Sequence, residues 1–393
     1  MSRACVVRAW VCVAVLALAS APASAVQLGN PDDVLSIEIH AFGSQGFMVS
    51  TANNYLADSH HGSFEFTEVG LNFTKQLTSK LRTGFQLFTH KLGPTGNFDI
   101  KADWFYLDYR WKDWLGFRAG RTKLPFGLYN DSSDIDAARV PILLPQSVYP
   151  AANRDYLLAQ TGGEIYGYIS MRKAGALEYR LYGGTIFLDI AQTPGIVQIL
   201  DLKVPYLAGA RLMWETPLDG LRVGGSFQTL RIDTKLNISP SVAGPGGVVD
   251  VEIPAYLWVA SIEYSAHRLL LAAEYSRWHL GVNSSNPTLV PEKPSTQERS
   301  YVMASYRVNR WFQPGLYYSA YLPDAYKRTG RESVQHDAAA SLRFDVNSFW
   351  IIKLEGHFMA GTAALVPAQN DNVPLNLLDR YWGFFLIKTT AYF

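Results

Sequence analysis

Cysteine is nearly absent. The 393-residue chain has two, Cys5 and Cys12, and both fall within its first 25 residues. That stretch opens on a short basic segment carrying Arg3 and Arg8, runs apolar from Ala9 to Ala19 and closes on the small residues Ala23-Ser24-Ala25. It has the form of a secretory signal peptide cut after Ala25, and its apolar run is too short to anchor in a bilayer. The expected mature chain, 26–393, then lacks cysteine altogether, which excludes disulfides and thiolate metal sites. Neither cysteine precedes a plausible mature start, so a lipid anchor is not expected. Excess charge is lacking as well. Of 35 Lys+Arg, Arg3 and Arg8 leave with the leader, so 33 face 34 Asp+Glu and the mature net charge is 33 − 34 = −1. A nucleic-acid partner would call for a strongly basic domain, and none is expected here. After the leader, no segment offers the ~18 uncharged apolar residues of a membrane helix.

What the chain does have is alternation. Leu81, Thr83, Phe85 and Leu87 fall on one face of a strand, and Arg82, Gly84, Gln86 and His90 on the other. The same period of two runs through Leu177–Gly184, Leu221–Gln228 and Ile352–Phe358, where Ile352, Leu354 and Phe358 oppose Lys353, Glu355 and His357. Extending the pattern predicts about sixteen strands at the ~10-residue scale of a tilted membrane strand. They start near Leu35, Phe64, Lys80, Ala102, Leu115, Glu164, Leu177, Leu207, Leu221, Ala255, Arg268, Ser300, Phe312, Gln335, Phe349 and Arg380. Their connections alternate between short and long. Gln76–Ser79, Lys112-Asp113, Lys173–Gly175, Thr216–Gly220, Ser265–His267, Asn309-Arg310 and Asn347-Ser348 are short. Thr51–Ser63, Leu92–Lys101, Arg121–Gly162, Phe187–Tyr206, Ile232–Pro254, Leu280–Arg299, Leu322–Val334 and Gly361–Asp379 are longer. Short turns at one rim and long loops at the other mark a membrane barrel, because a soluble sandwich has no reason to sort its loops by parity. The expected fold is all-β: a single transmembrane antiparallel β-barrel of about 16 strands over 26–393.

Arg121–Gly162 stands apart. It carries Pro125, Pro141, Pro145 and Pro150 and shows no strand pattern, and so long a loop within a domain implies a function. It is expected to fold into the barrel lumen, with the apolar run Val140–Pro145 packed on the inner wall. Opposed charges across such an opening would sort permeants. Asp131, Asp134, Asp136 and Asp155 are candidates for the acidic side. Arg139 and Arg154, with the wall residues Arg82, Arg118, Arg180, Arg211 and Arg222, are candidates for the basic side. Solvated surface or lumen charges are the plainer reading of any one of them. Asp131–Asp136 lacks the glycine and terminal glutamate of an EF-hand, so no metal is expected. His60-His61 is placed as a surface pair in an external loop.

The leader, the strand count, the sorted loops and the terminal Phe393 resemble the Gram-negative outer-membrane porin family. Gly116–Tyr129 (GFRAGRTKLPFGLY) is similar to the passage into the third external loop of phosphate-selective-type porins and their relatives. The resemblance implies an inward-folded third external loop, a final strand whose Phe393 is read by the barrel-assembly machinery, a homotrimer in outer-membrane lipid, and no cofactor. A clustered lysine ladder of the phosphate-selective kind is missing. Glu68, Asp108, Glu164, Glu178, Glu274 and Glu355 stand among the wall arginines, so the permeant's charge stays open. A passive channel for small hydrophilic solutes, anionic ones included, is the expected function. The rival expectations are a barrel enzyme of lipase or protease type, for which no Gly-x-Ser-x-Gly elbow is apparent, and a plugged structural barrel.

Overall fold

The alternation closes on itself. In a computed structural model, which describes residues 26–28, 36–188, 197–240 and 246–393, sixteen long strands form one antiparallel ring. They are β1 Ile37–Ser50, β2 Ser63–Thr78, β3 Leu81–Leu92, β4 Lys101–Lys112, β5 Leu115–Lys123, β6 Ala159–Ser170, β7 Ala176–Thr185 and β8 Val197–Glu215. The ring continues with β9 Leu221–Ile238, β10 Gly247–Ala266, β11 Leu269–Leu280, β12 Ser295–Tyr306, β13 Phe312–Leu322, β14 Gln335–Asp345, β15 Trp350–Gly361 and β16 Tyr381–Tyr392. Each strand pairs with the next, and β16 returns to β1 through Phe385↔Val49 and Tyr392↔Phe42. The backbone of Phe393 exchanges two hydrogen bonds with Ala41, at 3.0 and 3.2 Å, so the last residue pins the seam. Closure removes the unpaired edges that an open sheet would carry into lipid. Two further short strands supplement the ring: Val26–Leu28 pairs with Ile37–Ile39 of β1, and Asn283–Ser284 with Val251 and Glu252 of β10. The expected signal peptide lies outside the described residues.

The pleat sorts side chains by parity. Leu107, Leu181, Leu212, Ile262, Val302, Leu316 and Phe358 stand exposed on the outer face. Their neighbours in sequence turn inward, and there even Gln86, Glu164, Lys353, Glu355 and Lys388 are buried. The sorting of short and long connections holds around the ring. Two expected boundaries need correction. The Ile232–Pro254 loop is mostly strand, since β9 runs to Ile238 and β10 begins at Gly247. Likewise the Phe187–Tyr206 loop is strand from Val197 on; residues 189–196 lie outside the described ones. Here the ladder continues beyond the span as a ribbon, with Ile238, Val249 and Val251 covering one another against Leu236, Ile253 and Leu289. Pro205 hides this in the sequence. It lacks an N–H, and the β8–β9 register shifts between Arg231↔Tyr206 and Asp233↔Lys203, a bulge that lets pairing resume.

Candidate functional site: the segment between β5 and β6

The long segment is shorter at both ends than its prolines suggested. β5 continues through Lys123 and β6 starts at Ala159, which leaves 124–158 between them. Its two feet are tied together. Leu124 N–H donates to Leu158 O at 2.8 Å, and the Asn130 amide donates to Leu124 O and Leu157 O, both at 2.8 Å. Between the feet, short 3-10 turns at Asn130–Ser132, Asp136–Ala138 and Ala151–Asn153 and one helical turn, Arg154–Leu157, re-aim the chain.

From the first foot the segment crosses to β9–β11. Gly127 N–H donates to Ser226 Oγ at 3.0 Å, Leu128 N–H to Glu274 at 2.9 Å and Tyr129 Oη to Glu263 at 2.9 Å. Gly127 has a φ of +59°, and a Cβ there would run into Tyr149 Oη and Glu274, so this corner admits only glycine without rearrangement. Glu274 is saturated by donors: besides Leu128 N–H it accepts from Tyr149, from Ser261 at 2.5 Å and from Tyr301 at 2.8 Å. Phe126, Leu144, Val148 and Tyr149 are buried against Leu257, Val259 and Met303 on the same side.

On the opposite side the partners are β14–β16. Lys353 Nζ donates to Asp136, 2.9 Å to the carboxylate and 2.7 Å to its carbonyl. Thr390 donates to the same carboxylate at 2.7 Å, and Lys388 stands 3.5 Å away. Glu355 accepts from Ile142 N–H at 2.7 Å and Leu143 N–H at 2.9 Å, and Arg343 donates to the carbonyls of Ala137 and Arg139. Ile142 and Leu143 are buried with Met48, Phe66, Met359 and Leu386, so the apolar run Val140–Pro145 is divided between this cluster and the one that holds Leu144. A third anchor lies on β3–β5. Arg154 forks onto Asp103 at 2.7 and 2.9 Å while stacking 3.8 Å from the Phe88 ring centroid, and Lys123 reaches Asp134 at 2.6 Å.

The acidic cluster of the sequence is therefore dispersed. Asp131 meets Arg180 and Arg211, Asp134 meets Lys123 and Gln86, Asp136 meets Lys353 and Lys388, and Asp155 meets Lys101 at 3.1 Å. The 3-10 turns that hold Asp131 and Asp136, with Asp134 between them, send the three to different walls, so they do not converge on one ion. Burial alone would raise the Asp134 carboxyl, but Lys123 and Arg154 outweigh it and hold it below the usual range. Asp136 behaves alike: against burial, Lys353, Lys388 and Arg139 hold it far below that range. Arg139 turns back on its own segment, donating to Ser133 O and, at 2.9 Å, to Ile142 O.

Of the five wall arginines, only Arg180 and Arg211 touch an acid of the segment. Arg118 pairs with Asp108 at 3.0 Å and Arg222 with Glu263 at 2.6 Å, on the wall itself. Together with Arg180–Glu164 and Arg211–Glu178 they form a band of alternating sign across β4–β10. Arg82 sits exposed at the short-turn rim, with no contact to the segment among the described residues. The anchoring residues that the sequence did not single out are Lys123, Asp103, Arg343, Lys353 and Lys388. Alternation marks each as inward-facing, yet nothing local says which of the loop charges each would meet.

No protein-family model matches this chain, and no curated protein does. Solved structures do. Outer-membrane-expressed OmpT of Vibrio cholerae aligns with a TM-score of 0.59 at 11% identity, over 93% of this chain and 100% of that one. The anion-selective porin from Comamonas acidovorans aligns at 0.55 and 13%, over 91% and 99%. The outer membrane channel DcaP of Acinetobacter baumannii aligns at 0.53 and 11%, over 91% and 97%. At these identities the likeness concerns the fold alone, a closed sixteen-strand antiparallel barrel.

Proposed function

We propose that this chain is an outer-membrane porin of a Gram-negative bacterium, a passive diffusion channel for small hydrophilic solutes, and that segment 124–158 lies across the lumen and narrows it. One observation carries the reading. The segment is bonded to inward-facing side chains on opposite sides of a closed ring, Glu274 and Glu263 on one and Lys353 and Glu355 on the other. A barrel of this strand number has a lumen wide enough for an aqueous path, and the alternating band on β4–β10 supplies a polar wall for it. The chemistry needs no cofactor and no catalytic residue, because the solute gradient does the work. Purified protein in a planar bilayer is expected to give discrete conductance steps. Folded protein that stays silent while hydrolysing lipid or peptide would instead favour the barrel enzyme.

A plugged structural barrel is the second reading. What favours it is the space between the segment and the β2–β3 wall, about 70 Å³ bounded by Glu68, His90, Arg139 and Arg154, which holds only a few waters. Silence in the bilayer without hydrolysis would select it.

Assembly belongs to the same proposal. A trimer form is described for OmpT of Vibrio cholerae, and a homotrimer in outer-membrane lipid extends that to this chain. Phe393 at the seam is the proposed signal to the barrel-assembly machinery. Deleting it should leave unassembled protein in the periplasm. Normal amounts of heat-modifiable barrel in the outer membrane would refute that role.

A further inference from the structure

Among the described residues, the buried cations Arg343, Lys353 and Lys388 have carboxylate partners, and Arg299 departs from them. Arg299, on β12, is 5% exposed and faces inward, opposite Ser276 of β11 and Tyr321 of β13. Its guanidinium lies 3.6 Å from the Trp278 ring centroid and 5.3 Å from that of Tyr321. It donates to the Gln297 side chain, but Nε and Nη1 are buried without a hydrogen-bond partner, and among the described residues no carboxylate pairs with it. A cation taken out of water without a counter-charge is costly. Two aromatic faces offset part of that cost, and they also hold the fork in a fixed plane.

Arg299 opens onto a cavity of about 530 Å³. Four connections of the long-loop rim border it, contributing Leu56, Pro94, Ala152 and Leu365 among others. The volume falls within the ~300–1,000 Å³ of small-molecule sites. Among the described residues no aspartate, glutamate, lysine or histidine lines it and Arg299 is its sole charge, and the rest of the lining is largely apolar.

We propose that this cavity is a binding site for small organic monoanions, a carboxylate on an apolar body, with Arg299 as the anion receptor. The carboxylate supplies the counter-charge that the Arg299 guanidinium lacks, from the cavity side, and the apolar body replaces water against the leucines and Tyr321. A single guanidinium in an apolar cup disfavours inorganic anions, which would lose hydration without gaining that contact. A role as a resting place on the way through the pore depends on the channel reading; binding itself does not.

The test uses the full-length folded barrel in detergent, 4-fluorobenzoate as probe and its ¹⁹F line width as readout. Saturable broadening is expected, with none from the neutral 4-fluorobenzyl alcohol and no competition from inorganic phosphate. Arg299→Met removes an unpaired buried charge, so it should fold, and it should weaken binding by about tenfold or more. Ala152→Trp keeps the arginine, fills the cup from an exposed loop position and should weaken binding comparably; it decides the matter if Arg299→Met fails to fold. Absent saturable binding, unchanged binding in folded variants, or phosphate competing as well as benzoate would each overturn the proposal. Conductance steps without benzoate binding would sink this site and leave the channel standing. Binding without conductance would do the reverse.

Discussion

Deleting Asp131 to Pro150 should raise single-channel conductance by about twofold or more, since flux is set by the narrowest cross-section. The barrel should still fold. Asn130 and the residues after Pro150 belong to the two feet, which Asn130 itself bridges, so the cut ends can be rejoined near the wall. The strands keep their ladder, and the cations left behind at Lys123, Lys353 and Lys388 become solvated as the lumen fills with water. The excised stretch contains Asp131, Asp134, Asp136 and Arg139 and no other Asp, Glu, Lys or Arg. The lumen therefore becomes more positive, and the reversal potential under a salt gradient should move toward anions. A heat-modifiable deletion variant with unchanged conductance and unchanged reversal potential would show that 124–158 is not the constriction.

Asp136→Asn should be the most damaging single change. Lys353 is fully buried, and its only carboxylate partner among the described residues is Asp136. Stranding a buried cation costs about 3–5 kcal/mol, enough to detach this part of the segment from β15–β16. The expected result is noisy, larger conductance and new protease cleavage near Ile135–Leu144. Lys353→Met should be milder, because Asp136 keeps Thr390 and Lys388. Combining the two changes should restore quiet conductance, as a buried pair replaced together leaves no orphan charge. If the double variant is as noisy as Asp136→Asn, the pair is not the clamp. Acid should not open the clamp early. Because the attached Asp136 sits far below the usual carboxylate range, its contribution is complete above the detached carboxyl's pKa of ~3.9 and is lost only as pH falls through the lower attached value. Conductance should stay level between about pH 7 and pH 5.

Local chemistry was enough to make the ring legible. A period of two is written residue by residue, so the outward Ile352 and Leu354 and the inward Lys353 and Glu355 could be placed without knowing what lay across the lumen. Turn length is local too, and its parity gave both rims. The sequence misled where a local signal had a distant compensation: Pro205 breaks one ladder bond, yet the bulge at Arg231–Asp233 lets β8–β10 continue, so strand was taken for loop.

The segment was recognisable as exceptional from its prolines, but its electrostatics were not. Asp131, Asp134 and Asp136 lie within six residues and look like one acidic patch. Only the folded chain sends them to Arg211, Lys123 and Lys353, through turns whose direction depends on the wall they meet. Asp136 and Lys353 are 217 positions apart, and no pattern in either neighbourhood names the other. The same holds for Arg299. Its inward direction follows from alternation on β12, but its lack of a carboxylate is a property of everything around it. Which strand faces which side is decided by the pleat of each strand alone. Which charge finds a partner is decided by ring closure, which brings residues hundreds of positions apart to within a hydrogen bond.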